Sequence, residues 1–139
     1  MNRSSSGDES RFLNVDLDVE APFDLAPLVA ALGDDVLELY TGPGRDGFET
    51  HLELAGECIQ PGSADVAIQG FVRLLSQLTP DAKHLWHRAT RRDFNIGIQG
   101  GLTPHAFEVA LPRDVLAAVA DLGARIVITV YSASDEQGD

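Results

Sequence analysis

Two segments of this chain follow one pattern, and that pattern limits the fold more than any other feature. Asp24-Leu-Ala-Pro-Leu-Val-Ala-Ala-Leu-Gly33 leads on to Tyr40, and Asp114-Val-Leu-Ala-Ala-Val-Ala-Asp-Leu-Gly123 leads on to Tyr131. The apolar register is shared as well, with Leu25, Leu28, Val29 and Leu32 answering Val115, Ala118, Val119 and Leu122. An alternating apolar stretch precedes each segment. Physically each unit is a strand, a capped helix, a glycine stop and a second strand, joined by a right-handed crossover. Duplication and convergence fit equally well, because any short βαβ unit needs a cap, an apolar stripe and a stop.

The rest of the chain fills in around the two units. Arg11–Glu20 alternates, with Leu13, Val15, Leu17 and Val19 on one face and Asp16, Asp18 and Glu20 on the other, as a half-buried strand does. Asp24 is placed to cap a short helix that stops at Gly33, and Val36–Thr41 reads as the second strand. Gly42-Pro-Gly-Arg-Asp-Gly47 is a turn. In Phe48–Leu54, Phe48, Thr50, Leu52 and Leu54 alternate with Glu49, His51 and Glu53, giving a strand that pairs back as a hairpin. After a loop, Ser63 caps a helix to about Leu78 whose buried stripe is Val66, Phe71, Leu74, Leu75 and Leu78. Thr79-Pro80 opens another helix, from Asp81 to about Ala89. Phe94, Ile96 and Ile98 mark a fourth strand, Phe107, Val109 and Leu111 a fifth. A helix over Pro112–Leu122 then leads to Arg125–Tyr131, whose β-branched run reads as a central strand.

The sum is an α+β domain: a single mixed sheet of about six strands with three or four helices, two βαβ-like units, and a split-βαβ, ferredoxin-like style with helices on one face. One domain spans residues 11–131. The polar, aperiodic stretches 1–10 and 132–139 read as disordered tails.

The chain resembles a group of small bacterial domains of unknown function. They share an N-terminal strand–helix–Gly unit, a middle Leu-rich helix and an ending of the form Leu-Gly-x-x-Ile-x-Ile-x-x-Tyr. Here that ending is Leu122-Gly-Ala-Arg-Ile-Val-Ile-Thr-Val-Tyr131, and Phe94-Asn-Ile-Gly-Ile98 fits the inner strand. The resemblance covers most of residues 11–131 and carries no catalytic residues over. By analogy with small acidic domains of this kind, it implies an immunity- or partner-binding role.

Charge narrows the partners. With 22 acids against 10 bases, net −12, the surface repels phosphate polyanions and anionic lipid, so neither nucleic acid nor a membrane is expected as partner. The single Cys58 has no internal partner and points to a reducing, cytoplasmic setting. The first ten residues lack the apolar core of a signal peptide, and no run reaches the roughly 18 apolar residues of a membrane span.

Against that acidic background, Lys83–Arg92 has four Lys or Arg residues and no carboxylate, and it includes the one Trp. His84, Trp86, His87, Arg88, Arg91 and Arg92 are therefore the candidate ligand or partner-binding residues, with His84, Arg88 and Arg91 on one side of a helix. Arg forks beside a Trp suit a carboxylate, a phosphate or a protein hot spot. Their structural alternative is internal pairing with the chain's own acids. His84 and His87 lack a third donor, so no metal is expected. Cys58, next to Glu57, is placed as a structural thiol. Gln99-Gly-Gly-Leu-Thr lacks the elements of a phosphate loop, and Gly97 marks a bulge or close backbone packing. Asp16, Asp18 and Glu20 lack calcium-loop spacing and read as a solvated face.

No residue is assigned a catalytic role, and no cofactor is expected. The function expected is non-enzymatic partner binding, with another protein or a second copy as partner, through a sheet edge such as Phe48–Leu54 or through the Arg/Trp helix. The alternative is a small acidic-ligand or anion-binding domain, enzymatic in one version, with Arg88, Arg91 and Arg92 as its grip.

Overall fold

The computed structural model describes residues 9–55 and 63–132. Cys58 and most of the two proposed tails lie outside the described residues. In chain order the elements are β1 (Arg11–Ala21), α1 (Ala26–Leu32), a 3-10 turn (Gly33–Asp35), β2 (Val36–Gly44), β3 (Gly47–Leu54), α2 (Ala64–Ser76), α3 (Pro80–Arg88), β4 (Arg91–Gln99), α4 (Arg113–Asp121) and β5 (Arg125–Tyr131). The fold is α+β, with four α-helices and one mixed five-stranded sheet in the order β2-β3-β1-β4-β5.

β1 is the middle strand because its alternation is the longest and both its edges are taken. It runs antiparallel to β3, pairing Leu17 with Leu52, and antiparallel to β4, pairing Leu17 with Phe94. Val15, Leu17, Val19 and Ala21 all point to the helical side, where they meet Leu52, Leu54, Phe94 and Ile96 under α1, α2 and α3. Each of the Val, Leu, Ile and Phe side chains among them contributes roughly 1.5–3 kcal/mol by its burial. α2 supplies Ile68, Phe71 and Leu75 to this core, and the Phe71 and Phe94 rings sit 5.7 Å apart, tilted.

The helix ends follow their sequence signals. The Ser63 hydroxyl accepts from the Val66 amide at 3.2 Å and the Thr79 hydroxyl from the Ala82 amide at 3.3 Å. Asp24 accepts from the Ala26 amide at 2.9 Å, one residue earlier than a cap at the helix start would. Gly33 and Gly123 close α1 and α4 with matching φ of 74° and 72°, so the sequence repeat is also a repeat of backbone conformation.

Several expectations are corrected. There are five strands, not about six: Phe107–Leu111 pairs with nothing in the sheet. Bracketed by Pro104 and Pro112, it runs as irregular chain. Val109 and Leu111 pack on the core while Phe107 stays 38% exposed, so its alternation records packing rather than pairing. The second βαβ unit is therefore β4-α4-β5, whose strands are adjacent and parallel. β5 is not central but an edge, and Phe48–Leu54 is not an edge but lies between β2 and β1. Val66 is 48% exposed, and Ile68 takes its place in the α2 stripe because 68, 71, 75 and 78 keep helical spacing. Leu13 leaves the inner face because the β1–β4 register slips between Phe12 and Asn14. That slip lies beside Gly97, where a side chain would strike Asn14.

Candidate functional site

The cationic stretch divides between two elements. α3 ends at Arg88, the Thr90 amide donates to the Glu20 carbonyl at 2.8 Å, and β4 begins at Arg91. Arg91 thus does not share a helix face with His84 and Arg88. Its Nη1 lies 2.9 Å from Glu20 and its Nε 3.3 Å from Asp93. Trp86 is 1% exposed and anchors α3, its indole N–H donating to the Leu122 carbonyl at 2.9 Å. Arg92 crosses the Trp86 ring at 5.8 Å and donates to the carbonyls of Trp86, Ala89 and Gly123 at 2.8 to 3.0 Å, and to that of His87 at 3.3 Å. Those carbonyls belong to the end of α3 and to the α4–β5 turn, so Arg92 ties the one to the other. His84, His87 and Arg88 are exposed on α3; Arg88 lies 5.2 Å over the Phe23 ring and pairs with no acid among the described residues.

The residues that the fold does gather lie on the other side of the sheet. Among the described residues no element covers the face opposite the helices. Strand register arranges that face in rows across the sheet. One row runs Arg125, Asp93, Asp18, His51, Tyr40, the next runs Val127, Asn95, Asp16, and a third runs Arg91, Glu20, Glu49. β1 and β3 together bring Asp16, Asp18, Glu20, Glu49 and Glu53 onto one strip. The His51 Nδ1 is 2.8 Å from Asp18, with its Nε2 3.6 Å from Glu49. The Asn14 amide donates to Glu53 and, at 3.2 Å, to Asp16.

Electrostatics register the crowding. Burial, followed by the charges of Asp18 and Glu53 and a hydrogen bond to Glu53, pushes the Asp16 carboxyl up to about 7. Around neutral pH Asp16 therefore keeps its proton for much of the time. Burial works against the charged His51 ring, but the hydrogen bond and charge of Asp18, with those of Glu49, override it and raise its pKa. At the far side, buried Asp93 accepts a two-pronged hydrogen bond from Arg125, at 2.8 Å and 2.9 Å. A groove of about 650 Å³ opens at the Glu20 end of the strip, bounded by the β2–β3 hairpin at Arg45 and Asp46 and by Thr90 and Arg91.

Sequence reasoning found both halves of the strip separately, as the polar faces of β1 and β3. What it lacked was the register that sets Asp18 beside His51. Among the described residues no group of His, Cys, Asp and Glu has the geometry to hold a metal ion, and no helix is long and apolar enough to cross a membrane. No family model, curated protein or solved structure matches the chain.

Proposed function

We propose that this chain is a non-enzymatic, cytoplasmic partner-binding domain, immunity- or regulator-like in role, that receives a basic segment of another protein on the face of its sheet opposite the helices. The observation that carries this reading is the strip itself: five carboxyls of two neighbouring strands on a face that no element covers among the described residues. Burial and then the charges of Asp18 and Glu53 raise the Asp16 pKa, so ionising that carboxyl within the strip costs free energy. Lysine or arginine side chains laid across β1 and β3 would relieve that cost, so the strip favours a cationic partner and rejects an acidic one. The chain's single Cys supports the cytoplasmic assignment. We further read β1 to β4 as a ferredoxin-like unit that α4 and β5 extend. Its support is the order β4-β1-β3-β2 with two split crossovers, β1-α1-β2 and β3-α2-α3-β4.

A nona-arginine peptide is a suitable probe, titrated calorimetrically into the full chain. Asp18→Asn with Glu53→Gln should weaken its binding well beyond a control that removes the same charge at the 3-10 turn, Asp34→Asn with Asp35→Asn. Equal weakening by both pairs would reduce the strip to net charge alone and sink the reading.

A second reading, an acidic ligand or partner on α3, rests on Arg88, which has no acid partner among the described residues, with His84 and His87 beside it. Arg91 and Arg92 support it less, being committed to internal partners. Binding of a nona-glutamate peptide that Arg88→Ala abolishes would favour this reading over the first.

A further inference from the structure

The two edges of the sheet are built differently. β2 carries Pro43 between two glycines, an exposed Glu38 and a register slip between Glu38 and Tyr40. Each is a device that keeps one sheet edge from pairing with another. β5, Arg-Ile-Val-Ile-Thr-Val-Tyr, has none of them: no proline, glycine, lysine or acid, and no slip against β4. Its six residues after Arg125 are all β-branched or aromatic, the types best suited to a strand. Ile126 packs on the core, but Ile128 is 58% exposed and Val130 60% exposed, on the same side of the strand. An apolar edge of this kind, unpaired among the described residues, is a template for another strand.

We propose that the strand it receives is β5 of a second copy, antiparallel about a two-fold axis through Ile128. The sequence is complementary to itself in that arrangement. Ile128 meets Ile128, Ile126 meets Val130 and Val127 meets Thr129 of the other copy. Arg125 falls opposite Tyr131, so no like charges face each other across the join. That matters in a chain of net charge −12, where most of the surface repels its own copy. The one charge on β5, Arg125, is already balanced by Asp93 of its own chain. A two-fold axis perpendicular to the sheet puts both sets of helices on one side. There α4, which packs on β5, offers its exposed Leu116 as a second apolar layer. The result is a continuous ten-stranded sheet with two acidic strips on its open side. The inference is independent of the acidic-face reading, because β5 pairing leaves β1 and β3 open.

Sedimentation of the full chain over a concentration series tests it, the expected mass being twice the 14.9 kDa of one chain. Ile128→Lys sets two cations against each other at the axis and should return the chain to a monomer with an unchanged circular dichroism spectrum. Val130→Lys repeats the test should Ile128→Lys fail to fold. In a Cys58→Ser background, Ile128→Cys should form an intermolecular disulfide on mild oxidation, while Leu37→Cys on the opposite edge should not. A wild-type chain that stays at 14.9 kDa overturns the proposal, even where a foreign protein covers the same edge. So does a dimer that survives both lysine variants.

Discussion

Trp86 and Arg92 show how residues with the composition of a binding site can serve the core instead. Trp86 is buried and hydrogen-bonded to Leu122. Trp86→Ala should cost about 3–5 kcal/mol in chemical denaturation, and Trp86→Phe about 1 kcal/mol beyond its smaller loss of packing. Arg92→Ala removes the donor that four carbonyls share and should cost on the order of 1–3 kcal/mol. Arg88→Ala should change stability by less than about 0.5 kcal/mol, since Arg88 is exposed and lies over the Phe23 ring with no acid partner among the described residues. Equal losses at 88 and 92 would contradict this division. The sequence displays the cluster's composition, but not which arginine meets which backbone carbonyl. That depends on where α3 stops and on the α4–β5 turn lying beside it, 31 residues from Arg92.

At the scale of elements, local signals were legible and partnerships were not. Ser63, Thr79, Gly33 and Gly123 mark helix ends by side-chain and backbone chemistry that acts within a few residues. Alternation gave the two faces of β3 correctly, and those of β1 apart from Leu13, because burial on one side imposes a period of two. The same cue misled at Phe107–Leu111, where an unpaired segment packs with alternate side chains, and at β5, whose apolar run belongs to an edge. Pairing is set by register and crossover, which no short window of sequence contains. The β2–β3 hairpin depends on a single residue: Gly47 has φ of 137°, and a Cβ there would lie 2.6 Å from the Ala21 carbonyl oxygen. Gly47→Ala should cost roughly 2–4 kcal/mol in strain and displaced backbone. A melt like that of the wild type would show that the hairpin tolerates a different turn.

For the whole molecule, the acidic strip ties stability to pH. Asp16, at about 7, and His51, raised, both hold their protons more tightly in the folded chain than in the unfolded one. Folding is thus linked to proton uptake, and their contribution is greatest below the ordinary carboxyl value of about 4. It is lost as pH climbs through the folded values of the two groups. The melting temperature should therefore be higher near about pH 5 than near about pH 8, and Asp16→Asn should flatten that slope. A wild-type slope of opposite sign would remove the strip's electrostatic strain from the account. The most direct test of the central claim is a nuclear magnetic resonance titration of the labelled full chain with nona-arginine at neutral pH. We predict amide shifts concentrated at Asp16, Asp18, His51 and Glu53; shifts spread evenly over the acidic surface, or centred elsewhere, would contradict it.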